Sequence, residues 1–67
     1  MATKERLIKI LQGSWRREMS GARTYRALAE RDPREDRKKI LLRLGEAEEH
    51  HAERWEARIR ELEAQLA

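Results

Sequence analysis

One point in the chain forces a helix to stop, at Asp32-Pro33-Arg34-Glu35. Pro33 has no backbone N–H and disfavours helical geometry at Asp32, yet it suits the first turn of a following helix. Asp32 can cap that helix, and Glu35, three residues on, can complete a capping-box pair. The break therefore predicts two helices with almost no loop between them, which makes them antiparallel neighbours. We expect a first helix over about 4–31, capped by Thr3, a turn at 32–33, and a second helix over about 33–66, all within one domain of 1–67.

The residues on either side agree. Charged residues make up 43% of the 67-residue chain, against about 25% in ordinary globular proteins. Ala and Leu are the commonest of the rest, and with Glu, Arg and Lys they favour helix. Apolar residues recur in steps of three and four: Leu7, Leu11, Trp15, Ala22, Tyr25 and Leu28, then Leu41, Leu44, Trp55, Ile59, Leu62 and Leu66. Such regularity excludes a disordered polyelectrolyte and predicts two amphipathic helices. Gly13 and Gly21 each cost about 1 kcal/mol relative to Ala inside a helix. For Gly21 beside Ala22, close approach of the second helix and simple tolerance are equally good explanations.

A chain this short cannot bury a large core, and small scaffolds usually need a staple. There is no cysteine for a disulfide, which leaves a metal, a second chain, or both. The net charge of +3 is mild, and no apolar run approaches the roughly 18 residues of a membrane span. With no signal-peptide pattern at the start, the expected location is cytoplasmic, either free or as the soluble domain of a membrane protein.

Polar residues interrupt both stripes. Glu18 lies between Trp15 and Ala22. Glu48 and His51, a Glu-x-x-His pair, lie between Leu44 and Trp55. Measured from the turn, Glu18 and Glu48 lie about 21 and 24 Å along their helices, and His51 about one turn further. Three ligand-type side chains are thus expected at one height on the inner face of one hairpin. Carboxylates buried there need proton sharing, salt bridges to Arg, or a divalent metal. Carboxylate oxygen with imidazole nitrogen suits iron, manganese or zinc. One hairpin offers two Glu and one His. A two-fold dimer doubles this to four Glu and two His, and also builds the four-helix bundle that the missing core calls for.

The spans Glu18-Met-Ser-Gly-Ala22-Arg-Thr-Tyr25 and Glu48-Glu-His-His51-Ala52-Glu53 resemble the helix motifs of ferritin-like domains of the rubrerythrin type. They look most like the ferritin-like segment of vacuolar-iron-transporter-type membrane proteins and like two-helix encapsulated ferritins, over roughly residues 10–60. The resemblance implies an all-α, antiparallel two-helix hairpin that dimerises into a ferritin-like four-helix bundle. It implies a di-iron site between two chains that oxidises Fe(II) with O₂, a ferroxidase. Glu18, Glu48 and His51 would be metal ligands, and Tyr25 a hydrogen-bond donor behind them. Implied partners are a second copy or a larger homo-oligomer, with a membrane iron transporter or a storage compartment as a further associate. A full rubrerythrin-like domain carries four helices in one chain, where this one carries two.

Simpler readings stand beside these. Glu-rich helices produce Glu-x-x-His pairs by chance, and the chain would then be a structural dimerisation or adaptor hairpin with Glu18 and Glu48 paired to Arg. Trp15 and Trp55 read as core or interface anchors, and His50 as solvated. The basic cluster Arg31, Arg34, Arg37, Lys38, Lys39 and Arg43 around the turn lacks interleaved aromatic residues, so nucleic-acid binding is not expected. The acidic run Glu46, Glu49, Glu53 and Glu56 either draws cations or pairs with Arg6, Lys9 and Arg16.

Overall fold

The computed structural model describes residues 2–66, with side chains from Thr3 onward. It consists of two helices, α1 (Ala2–Arg31) and α2 (Glu35–Leu66), packed along their length into an antiparallel hairpin. Cross-helix contacts run in opposite order along the two elements. Ile8 and Leu11 cluster with Ile59 and Leu62, Glu18 meets His51, and Ala22 lies against Gly45.

The turn, at residues 32–34, is one residue longer and differently capped than expected. Asp32 Oδ1 accepts the Arg34 N–H at 3.0 Å and the Arg37 guanidinium at 3.0 Å. Meanwhile Asp32 N donates to Ala29 O at 3.3 Å. That donor is therefore already used, and no capping box with Glu35 forms. Glu35 turns instead toward Lys38. The carbonyl of Arg34 accepts the Lys38 N–H at 3.0 Å, as the first bond of α2. Pro33 thus sits before the helix rather than in its first turn. At the other end α1 already runs through Thr3, which is not its cap.

The contact between the helices is made largely by small residues. Ala22, Ala29 and Ala52 are buried to 1–2% exposure, and Gly45 is buried beside them. The larger apolar cluster of Ile8, Leu11, Ile59 and Leu62 lies at the open end of the hairpin, with Trp55 packed on it. Leu7, Leu28, Leu44 and Leu66, expected on the inner stripes, are 37–50% exposed. Two helices bury only a narrow seam along their line of contact, and where that seam is closest it takes Ala and Gly in place of Leu.

The exposed residues are not scattered. At about 100° per residue, Leu7, Ile10 and Leu28 share one flank of α1, and Ile40 and Leu44 share one flank of α2. The contacts of Glu18 with His51 and of Gly21 with Glu48 place both flanks on the same side of the hairpin. The Arg26–Glu49 ion pair marks the opposite side. The Cα trace spans 52 × 14 × 11 Å, with a radius of gyration of 15.4 Å. A compact domain of this length would have about 11 Å. The hairpin is thus a rod with one apolar side open.

Candidate metal centre

Each helix contributes to one polar cluster on that open side. Glu18 comes from the middle of α1. Glu48 and His51, one helical turn apart on α2, share a flank that points at it. His51 Nδ1 lies 3.5 Å from Glu18 Oε2. One ligand atom from each of Glu18, Glu48 and His51 falls within 4.8 Å of the others. A Cβ at Gly21 would lie 3.4 Å from Glu48 Oε2. That distance is an ordinary van der Waals contact with a side chain, so a methyl group would fit and the second helix's backbone does not require a glycine there.

The two carboxylates influence each other. A hydrogen bond from Glu48, then the His51 imidazole and more weakly the Trp55 indole, hold Glu18 below the usual Glu range. The same hydrogen bond, with partial burial and the Glu18 charge, pushes Glu48 up. Of the two, Glu18 therefore ionises first as pH rises, and Glu48 is the last to give up its proton. Among the described residues, neither Glu18 nor Glu48 forms an ion pair with Lys or Arg; the one ion-pair contact of Glu18 is with His51. Of the arginines nearby, Arg26 pairs with Glu49 and Arg58 with Glu61, while Arg54 lines the cleft without pairing to either carboxylate.

The donor set fits a divalent metal. Two ligands at about 2.0–2.2 Å from one ion lie no more than about 4.4 Å apart. The 3.5 Å separation of His51 and Glu18 is already within that span, and the widest separation in the cluster needs only a small closure. The side chains are not enclosed, however. Glu18 is 24% and His51 48% exposed, so they sit at the edge of the hairpin rather than on a buried inner face. The two helices leave the cluster uncovered on the open apolar side.

Other residues fall as follows. Tyr25 is half-buried beside Gly45 and makes no hydrogen bond to the cluster among the described residues. His50 is exposed. The acidic run does not pair with Arg6, Lys9 or Arg16; Glu49 takes Arg26 and Glu56 takes Arg60. A cleft of about 360 Å³ opens beside the cluster, lined by Glu18, His51, Arg54, Trp55 and Arg58. Arg54 and Arg58 carried no motif signal in the sequence. Their places three and seven residues after His51, on its flank, were the available clue.

A family model described as rubrerythrin matches residues 9–67, which takes in both helices and the whole cluster. The chain belongs to the rubrerythrin family. Its fold is ferritin-like, of the di-iron-binding type, and its described residues form one antiparallel pair of helices. No curated protein and no solved structure matches this rubrerythrin-family chain. Among its described residues, no helix is long and apolar enough to cross a membrane.

Proposed function

We propose that this rubrerythrin-family hairpin is half of a di-iron site, that a second copy completes it, and that the assembled site oxidises Fe(II) with O₂. The observation that carries the reading is the unneutralised cluster. Glu18, Glu48 and His51 bring one ligand atom each within 4.8 Å of the others, and the two carboxylates shift each other's pKa in opposite directions, while among the described residues Lys and Arg pair with neither. A purely structural hairpin would hold these acids in salt bridges. Here they are held for a cation.

The second copy is supported by shape and by count. The rod leaves Leu7, Ile10, Leu28, Ile40 and Leu44 exposed on the side that carries the cluster. Covering that side with another hairpin buries these residues and brings four Glu and two His together, the set used by ferritin-like bundles. One two-fold operation supplies both the missing core and the missing ligands.

Iron held by these residues would supply one-electron chemistry with O₂ as oxidant; manganese suits the same donors and is also redox-active, whereas zinc suits them without redox chemistry. The chain's own residues do the rest. A cation favours ionised Glu48 over its protonated form, so binding in the pH range where Glu48 still holds its proton releases it. Glu18 loses its proton at lower pH than an ordinary Glu. His51 offers Nδ1 toward Glu18. Trp55 and the partner's apolar side exclude water, which strengthens each charge interaction in the site.

The test is aerobic addition of Fe(II) to purified protein, following ferric absorbance. Oxidation faster than in buffer, abolished by Glu48→Ala, is expected. Oxidation at the buffer rate would remove the catalytic part of the proposal. If iron also failed to raise the melting temperature, the binding part would go with it.

A further inference from the structure

Two side-chain donors are buried without a hydrogen-bond partner among the described residues: Trp15 Nε1 and Trp55 Nε1. An indole N–H can only donate, and a buried donor left unpaired is costly enough to need an explanation. The two differ in their surroundings. Trp55 lines the cleft together with Glu18 and His51, and Trp15 does not.

Trp55 follows His51 by one helical turn and Glu48 by two, so all three share a flank. Side chains on a helix lean toward its N-terminus, which carries the indole back over those residues and toward Glu18. The ring itself is fixed by packing on the cluster of Ile8, Leu11, Ile59 and Leu62. Trp55 therefore presents a rigid donor that lies close enough to Glu18 to lower its pKa weakly but does not complete a hydrogen bond to it.

We infer that Trp55 is a positioning residue for the metal centre. Its Nε1–H donates to the Glu18 carboxylate when that group holds a cation, and so fixes which carboxylate oxygen faces the ion. The orphan donor gains an acceptor, and the ligand loses rotational freedom that binding would otherwise have to remove. The inference rests on the metal-site reading. Donors placed behind metal ligands are typically worth 10–100-fold in metal affinity.

The experiment is anaerobic titration with Co(II), read from its visible absorption, on wild type, Trp55→Phe and Trp15→Phe. Trp55→Phe is expected to bind about 10–100-fold more weakly, with an altered Co(II) spectrum. Trp15→Phe should match wild type, and the metal-free melting temperatures of the two variants should be alike. A second replacement at position 55, benzothienylalanine, keeps the bicyclic ring and removes only the N–H, so it guards against a packing defect. It should reproduce the weaker binding. If wild type binds Co(II) and both position-55 variants bind it equally well, the positioning role is overturned while the metal site stands. If wild type binds no Co(II), the metal site falls and this role falls with it.

Discussion

His51 Nδ1 and Glu18 Oε2 face each other across the hairpin at 3.5 Å, already within the span that two ligands of a single metal ion can have. Glu48 completes the cluster, and the carboxylate pair gives it a defined response to pH. The Glu48 pKa is raised in the folded state. Its contribution to stability is therefore fully present below its ordinary value of 4.5 and is lost as pH rises through the folded value. Glu18 has the opposite sign: its pKa is lowered, so its contribution is present above 4.5 and is lost as pH falls. At neutral pH an ionised Glu48 beside Glu18 opposes folding of the metal-free hairpin. Glu48→Gln, neutral at every pH and still able to donate to Glu18, should melt higher than wild type near neutrality. The gap should close as pH falls toward 4.5. Thermal melts across pH in the presence of a chelator check this.

Metal affinity should follow the same proton. Because a cation must displace it, binding should weaken as pH falls, with proton release measurable by calorimetry in buffers of different ionisation enthalpy. Glu48→Gln should lose both the binding and the release.

The two helices and their turn were legible in the sequence because Asp32-Pro33 is the one strong break in a run of helix formers. The height match of Glu18 with Glu48 and His51 was legible too, since helical rise is fixed. The identity of the seam was not. Steps of three and four select Leu7 and Leu28 as readily as Ile8 and Ala29, and the structure buries the latter pair. Large apolar residues dominate a sequence pattern, whereas the closest helix contact selects the smallest side chains, Ala22, Gly45 and Ala52. The mis-assigned leucines mark a second apolar face. Asp32 was foreseen as the cap of a helix beginning at Pro33; it accepts instead the N–H of Arg34, just before α2, and its pairing with Arg37 depends on side-chain geometry that spacing alone does not fix.

Asp32 ties the turn together, and its pKa is lowered mainly by the Arg34 N–H and then by Arg37. Its stabilisation is therefore present above its ordinary value of 3.8 and is lost as pH falls through the lower folded value. Asp32→Ala should lower the melting temperature at neutral pH. The difference from wild type should vanish in acid, once the wild-type carboxyl is protonated.

Truncation should separate seam from surface. Leu62 is 2% exposed in the apolar cluster, and Leu62→Ala should cost about 2–5 kcal/mol, enough to unfold most of so small a structure. Leu42 is 42% exposed and lies on a flank away from Ile40 and Leu44. Leu42→Ala should stay within about 0.5 kcal/mol. Chemical denaturation gives both numbers.

The open apolar side should behave as an interface. Leu28→Glu or Ile40→Glu places a charge where a second hairpin would sit, and each should shift the protein to monomer in sedimentation at concentrations where wild type is dimeric. Leu42→Glu should leave the assembly intact. A monomeric wild type would remove the second copy from the site.

The central claim is that Glu18, Glu48 and His51 from two copies hold a pair of metal ions between them. Anomalous scattering from crystals grown with iron tests it most directly. The account expects two iron peaks per dimer, each contacted by side chains of both copies, and none in crystals of Glu48→Ala. A single-copy site, or iron elsewhere on the rod with the three residues unoccupied, would contradict it.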